Sequence, residues 1–91
     1  MFYFYIIYSE TIDKFYTGYS SDYEERIIKH NQNHKGFTGK TNDWKLVYKE
    51  TFKTKTEAYA RERQVKSWKS KKMIQQLIAK DSEHPDSSGG S

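Results

Sequence analysis

Residues with acid–base, phosphate-binding and metal-binding side chains occur at spacings that place some of them on common faces. Arg26 and His30 are four residues apart in a segment of helical character, so they lie on one face of that helix. Tyr3 and Tyr5 are two residues apart in an aromatic, β-branched segment and share one face of a strand. Glu62 borders the apolar side of a later predicted helix, which favours a carboxylate held near the sheet. Spacing alone assembles pairs of side chains and no complete site.

Together with Tyr16, these residue types suit phosphodiester hydrolysis. A carboxylate such as Glu62 can bind Mg²⁺ or Mn²⁺, because both ions accept oxygen ligands. The guanidinium of Arg26 can pair with a phosphoryl oxygen and offset charge in the transition state. A tyrosine or a histidine can position or deprotonate water. The residue types therefore indicate a candidate site with one metal-binding carboxylate.

The composition favours a small basic domain with a polyanionic partner. The chain has 91 residues, a net charge of +4 and no cysteine, which excludes disulfides and thiolate metal sites. Residues 53–80 hold nine Lys and Arg residues against only Glu57 and Glu62. Such a cluster is typical of nucleic-acid-binding surfaces, although solvated helices carry similar clusters. No segment reaches the roughly 20 apolar residues of a membrane helix, so we expect no membrane association and a cytoplasmic location.

Hydrophobic periodicity predicts an α+β domain over residues 1–80 and a disordered low-complexity tail over residues 81–91. The expected architecture is a three-stranded antiparallel sheet flanked by helices, in the order β-β-α-β-α-α. The first strand is apolar on both faces, which predicts a central position in the sheet. The predicted strands span 2–8, 15–19 and 44–52, and the predicted helices span about 22–32, about 54–68 and a segment that Ser70 caps.

Local motifs predict the ends and faces of these elements. Residues 21–24 and 54–57 have the form of capping boxes, with Ser21 and Thr54 as the N-caps. Gly18 ends a strand just before a helix, where a residue without Cβ allows close approach of the backbone. Alternation in the third strand predicts four large side chains on one face: Trp44, Leu46, Tyr48 and Phe52.

Five short motifs follow one another along essentially residues 1–80. They are Tyr3-Phe4-Tyr5, Tyr16-Thr17-Gly18, the helical segment ERIIKHN that contains Arg26 and His30, the strand Trp44-Lys45-Leu46-Val47-Tyr48, and the segment from Glu57-Ala58 through Arg61-Glu62 to Lys66-Ser67-Trp68. This ordered set resembles the GIY-YIG nuclease superfamily, specifically its small single-domain bacterial members. Tyr3 stands in place of the glycine of the first motif, a departure that is common among the small members.

The resemblance implies a metal-dependent endonuclease that hydrolyses phosphodiester bonds of DNA with one metal ion and a water nucleophile. It implies that Glu62 binds the metal, Mg²⁺ or Mn²⁺, and that Arg26 contacts the phosphate in the transition state. Tyr5, Tyr16 and His30 would position or deprotonate the water, and which of them is the base stays open. Nucleic acid is the implied partner, and four lysines are predicted to face its phosphates: Lys66, Lys69, Lys71 and Lys72.

Some of these assignments have a plainer structural alternative. Glu57 is a second candidate metal carboxylate, but its place at a helix start favours capping. Glu62 could instead pair with Lys66 one turn later, and His30 could balance the dipole of a helix C-terminus. A catalytically silent nucleic-acid-binding module, or a basic domain that docks an acidic protein, would have the same composition.

Overall fold

The computed structural model describes residues 1–32 and 41–82, and it confirms the predicted fold class and element order. Residues 33–40 of the loop before the third strand and residues 83–91 of the predicted tail lie outside the described residues. Within the two described stretches, no helix is both long and apolar enough to cross a bilayer. The elements are β1 (Phe2–Ser9), β2 (Lys14–Ser20), α1 (Tyr23–His30), β3 (Lys45–Phe52), α2 (Lys55–Trp68) and α3 (Lys71–Ser82).

Strand β1 is the centre of the antiparallel sheet, whose strand order is β2-β1-β3. Its residues from Phe4 to Ile7 are buried, which confirms the central position predicted from apolar residues on both faces. Tyr5 pairs with Gly18 of β2 on one side and with Lys49 of β3 on the other. Strand β2 therefore has one open edge, and the candidate site lies there.

The sheet carries a hydrophobic cluster on each face. On one face, Phe4 and Ile6 pack with Val65 of α2 and with partly buried residues of α3. On the other, Tyr5 and Ile7 pack with Trp44 and with partly buried residues of α1. Because full burial of a large apolar side chain stabilises a fold by about 1.5–3 kcal/mol, these clusters fix the helices on their faces.

The alternation predicted for the third strand is wrong at one point. A register shift between Ile6 and Ile7 pairs them with Tyr48 and Leu46, so Val47 is an extra residue in β3. A bulge of this kind inverts the side-chain alternation beyond it. Leu46 and Trp44 consequently pack on the α1 face, whereas Tyr48 and Phe52 pack on the α2 face.

Helix N-termini are capped by short polar side chains, with one difference from the prediction. The N-cap of α1 is Asp22, whose carboxylate accepts the Glu25 N–H, so the assignment of this cap to Ser21 is wrong. A carboxylate also interacts favourably with the positive end of the helix dipole, which a serine hydroxyl does not match. Thr54 caps α2 as predicted, and the Ser70 hydroxyl accepts the Met73 N–H at the start of α3.

Candidate active site

Four of the five predicted catalytic side chains line one cleft at the open edge of β2. Tyr5 of β1, Tyr16 of β2, Arg26 of α1 and Glu62 of α2 border this cleft, which we call the central cleft. Its volume is about 420 Å³. Three consecutive elements and the distant helix α2 thus bring a phenol pair, a guanidinium and a carboxylate to one cleft.

Tyr5 reaches the central cleft across the position of Gly18. The Tyr5 side chain is only 1% exposed, and its strand partner across the β1–β2 ladder is Gly18. A Cβ added at Gly18 would lie 2.5 Å from the Tyr5 hydroxyl oxygen and 2.6 Å from Cζ. The glycine is therefore required for the position of the Tyr5 ring.

His30, the fifth predicted catalytic residue, lies behind the tyrosines and does not border the central cleft. Its side chain is buried, and Nε2 is 3.1 Å from the Tyr5 hydroxyl oxygen. Its ring also meets the Tyr16 ring edge-on, with centroids 4.9 Å apart. His30 can thus act on the cleft through the two tyrosines.

The environment of the Tyr5 hydroxyl keeps this group protonated near neutral pH. Burial raises the pKa of the Tyr5 phenol above its ordinary value, and a hydrogen bond from Arg26 opposes part of that shift. Because His30 Nε2 lies within hydrogen-bond distance, a neutral His30 can accept the phenol proton. The Tyr5 hydroxyl is therefore placed to give its proton to His30, while its oxygen accepts a hydrogen bond from Arg26.

Glu62 lies in the middle of the buried side of α2. Ala58, Glu62 and Val65 are the buried residues of this helix, at spacings of four and three residues. The carboxylate is near the sheet, and Oε2 pairs with Lys66 Nζ at 2.6 Å. This hydrogen bond raises the pKa of Lys66, which stays positively charged. The i,i+4 pair with Lys66 considered for Glu62 in the sequence thus occurs in the fold, and the same side chain borders the central cleft.

An ion pair between Arg61 of α2 and Glu50 of β3 fixes the orientation of α2. Arg61 donates from Nε and from one terminal nitrogen to the two oxygens of Glu50, each at 3.0 Å. The side chains of this pair are only 22% and 23% exposed, so solvent screening is reduced. Since Arg61 precedes Glu62, the pair holds α2 at the rotation that directs Glu62 towards the sheet.

The donor set of the central cleft fits a weakly held Mg²⁺ or Mn²⁺ ion. Among the described residues, no group of three or more His, Cys, Asp or Glu side chains could hold a metal ion. Mg²⁺ often binds proteins through one or two carboxylates, with water and substrate phosphate as the other ligands. Glu62, as one hard oxygen donor in a polar cleft, is consistent with that mode of binding.

Three residues that border the central cleft were not among the predicted site residues. Tyr19, Tyr59 and Arg63 border it, and the rings of Tyr19 and Tyr59 are 5.2 Å apart. Arg63 lies over the Tyr59 ring at 5.7 Å. Tyr59 is three residues before Glu62, so helical spacing was a signal for it once Glu62 had been assigned.

The four lysines predicted to face phosphates separate into different environments. Lys66 lines the central cleft, and Lys69 lies in an adjoining depression that also includes Lys66 and Tyr16. Lys71 instead binds the Asp13 carboxylate at 2.5 Å and ties α3 to the β1–β2 turn. Lys72 is exposed on α3 and does not border the central cleft.

The sequence matches one known domain family. The sequence profile of the GIY-YIG catalytic domain matches residues 1–75. The chain belongs to the GIY-YIG family. GIY-YIG domains are generally nucleases that use divalent metal ions, so the fold of this chain is of nuclease type and implies nucleic-acid binding.

Similar GIY-YIG-type proteins occur in staphylococci. A UPF0213 protein of Staphylococcus saprophyticus subsp. saprophyticus is 43% identical over 60 residues, which cover 65% of this chain and 73% of the relative. A UPF0213 protein of Staphylococcus epidermidis is 46% identical over 66 residues, which cover 67% of this chain and 79% of the relative. No solved structure gave a significant match.

Proposed function

We propose that this GIY-YIG domain is a metal-dependent endonuclease that hydrolyses phosphodiester bonds of DNA with a water nucleophile. The observation that carries the proposal is the convergence of Tyr5, Tyr16, Arg26 and Glu62 on the central cleft. A scissile phosphate in that cleft would meet a guanidinium for its charge, a carboxylate for a metal ion and phenols for the attacking water. Each of these groups supplies a different part of the same reaction.

In this proposal Glu62 holds the metal ion, and Arg26 binds the phosphate. When bound, a divalent ion supplies Lewis-acid polarisation of the phosphate and offsets charge on the leaving oxygen. Arg26 pairs with a phosphoryl oxygen and stabilises the additional charge of the transition state. Glu62 would hold the ion in place of its pair with Lys66, whose Nζ lies 5.5 Å from the centroid of the Tyr16 ring.

We propose Tyr5 and His30 as the pair that accepts the proton of the attacking water. The Tyr5 oxygen takes a proton from water while its own proton passes to His30 Nε2, 3.1 Å away. This transfer avoids a free phenolate, which the burial of Tyr5 disfavours. Tyr16 forms the adjoining wall of the cleft and positions the water. His30 is then a positioning and proton-accepting residue behind the cleft.

The test of the function is a cleavage assay with the full chain on plasmid, single-stranded and branched DNA. We expect cleavage with Mg²⁺ or Mn²⁺ and none in EDTA. The same assay with single-stranded and branched RNA shows whether DNA or RNA is the substrate. Salt-dependent binding to every substrate with no cleavage in either metal would contradict the proposal.

The base assignment is tested by pH–rate profiles of Tyr5→Phe and His30→Gln. If protons pass from water through Tyr5 to His30, both variants lose activity by a similar factor, and the double variant loses little more than either one. Full activity in Tyr5→Phe with loss in His30→Gln would move the base to His30. Full activity in both would move it to Tyr16.

A catalytically silent nucleic-acid-binding module is the second candidate function, and the Glu62–Lys66 pair favours it. The carboxylate that would hold the metal is engaged by a lysine at 2.6 Å. In a silent module this pair would be permanent, and Mn²⁺ would not compete for Glu62 at millimolar concentration. Mn²⁺ binding by the wild type separates the two candidates. A nuclease site binds the ion at millimolar concentration and loses it in Glu62→Gln, whereas a silent module binds none there.

A further inference from the structure

A second polar cleft continues from the central cleft along the end of β2. Its volume is about 380 Å³, and we call it the flanking cleft. It shares Tyr19 and Arg26 with the central cleft. Its other lining residues are Phe2, Ser20, Ser21 and Lys55.

The flanking cleft has the side-chain chemistry of an anion site. Arg26 and Lys55 contribute two positive charges, and none of the described residues that line it is acidic. No salt bridge within the described part of the chain involves Lys55. A phosphate in this cleft would therefore gain two charge-assisted hydrogen bonds without separating an existing ion pair.

The serine beside these cations has a hydroxyl that can donate to an anion. Ser20 Oγ accepts the Asp22 N–H at 3.0 Å, which fixes the oxygen and leaves its hydroxyl hydrogen to point elsewhere. The Asp22 carboxylate is itself occupied at the start of α1, where it accepts the Glu25 N–H. The nearest acidic residue on this loop is thus directed to the helix terminus and its charge is partly balanced there.

We propose that the flanking cleft binds the backbone phosphate next to the scissile one, with Lys55 as its charge partner and Ser20 as a neutral donor. The inference rests on the proposed function, because the central cleft must hold the scissile phosphate. Arg26 borders both clefts, so one guanidinium lies between two successive phosphates of a strand. A free mononucleotide with one phosphate would occupy only one of the clefts, whereas two successive linkages of a strand would fill both.

The first test measures binding of a fluorescein-labelled DNA oligonucleotide to the full chain in EDTA, by anisotropy at several salt concentrations. Lys55→Gln is compared with Lys53→Gln, a matched loss of charge two residues away and outside both clefts. We expect Lys55→Gln to weaken binding by about fivefold in roughly 0.1 M salt and to lower the salt slope by about 0.7–0.9. Lys53→Gln is expected to change the affinity by less than about twofold. Equal effects of the two variants would overturn the proposal.

The second test locates the phosphate. Neutral methylphosphonate linkages are placed one at a time through the oligonucleotide, and each is bound to the wild type and to Lys55→Gln. We expect one linkage at which neutralisation makes the two proteins bind equally, because the partner of Lys55 has been removed. A constant ratio at every linkage would overturn the proposal.

A negative result in these two tests can be distinguished from a failure of the proposed function. Binding in EDTA does not depend on cleavage, so a chain that binds with this pattern but never cuts would retain the flanking cleft and lose the nuclease assignment. A chain that cuts while Lys55→Gln matches Lys53→Gln would retain the nuclease assignment and lose the flanking cleft.

Discussion

The ring of Tyr5 crosses the neighbouring strand at Gly18, the one position of the pair that has no side chain. Tyr5 is buried, so its ring has little space into which it could move. Sequence motifs assign Tyr5 and Gly18 to separate segments, and only the antiparallel register of β1 and β2 shows that they meet. The glycine therefore serves the site by making room for the phenol.

Gly18→Ala is expected to displace Tyr5 and to lower both stability and activity. The new Cβ would lie 2.5 Å from the hydroxyl oxygen, and overpacking of this kind costs about 1–3 kcal/mol. Urea unfolding measures the cost, and a cleavage assay measures the loss of activity. In a Tyr5→Leu background the same substitution should cost clearly less, since the ring that it meets is gone. An equal cost in both backgrounds would show that the two residues do not interact.

Lys66→Met is expected to strengthen Mn²⁺ binding at Glu62. The lysine pairs with the carboxylate at 2.6 Å, so a metal ion must compete with it. Removing that competitor should lower the Mn²⁺ dissociation constant several-fold, as measured by calorimetry without DNA. Lys69→Met, which loses the same charge, is the control. Unchanged affinity in Lys66→Met, or equal gains in both variants, would contradict a metal site at Glu62.

At the scale of elements, one side chain joins the end of α1 to the start of β3. Asn31 Nδ2 donates to the Trp44 carbonyl at 2.8 Å, and the Trp44 N–H donates to Asn31 Oδ1 at 2.6 Å. Asn31 directly follows His30, so this pair of bonds also fixes the last turn of α1 against the sheet. This contact helps to hold His30 in its position behind Tyr5.

Asn31→Ala should loosen the C-terminal end of α1. It leaves two backbone groups of Trp44 without their side-chain partner, a loss that costs about 1–3 kcal/mol. We expect lower stability in urea unfolding and slower cleavage, because His30 loses its fixed place. Gln32→Ala, an exposed neighbour, is the control and should change neither quantity appreciably. Normal stability in Asn31→Ala would show that the contact does not hold the helix.

The elements themselves were largely predictable, because periodicity and caps are local. Strand β1 with its two apolar faces, the Thr54 cap and the Ser70 cap agree with the structure. The bulge at Val47 was not predictable, since an inserted residue is defined by the partner strand and not by its own sequence. Whether Ser21 or Asp22 caps α1 depends on where the chain leaves β2, which the local motif does not define.

At the scale of the whole molecule, the candidate site depends on contacts between distant segments. Spacing placed Arg26 and His30 on one helix face, yet the fold directs Arg26 into the central cleft and His30 behind it. The difference arises because Tyr5 and Tyr16 come between His30 and the cleft. The partner of Lys71 was likewise not predictable from the sequence, since Asp13 is far from it in the chain and adjacent in the fold.

Asp43 connects the two halves of the chain through hydrogen bonds at the base of the sheet. Its carboxylate accepts from Ser9 Oγ, from the Thr11 N–H and from Thr41 Oγ1. These bonds, that from Ser9 most of all, hold the pKa of Asp43 well below its ordinary value. The folded state therefore prefers the charged carboxylate more strongly than the unfolded state does.

This preference predicts a loss of stability in acid. The contribution of Asp43 is complete above the pKa of the unfolded chain, about 3.9, and is lost as the pH falls through the lower folded-state value. We expect the melting temperature of the wild type to fall more steeply between about pH 5 and pH 2 than that of Asp43→Asn, which starts lower at neutral pH. Parallel curves for the two proteins would contradict the assigned role of Asp43.

The most direct test of the central claim compares two glutamates of α2 in a metal-dependent cleavage assay. Glu62 is buried beside the central cleft, whereas Glu57 is exposed and belongs to the cap of the helix. Glu62→Gln should reduce cleavage by about a hundredfold or more while DNA binding in EDTA changes little, because only the metal ligand is lost. Glu57→Gln should cut at the wild-type rate. Wild-type cleavage by Glu62→Gln, or a matching loss in Glu57→Gln, would contradict the assignment of this cleft as a one-metal nuclease site.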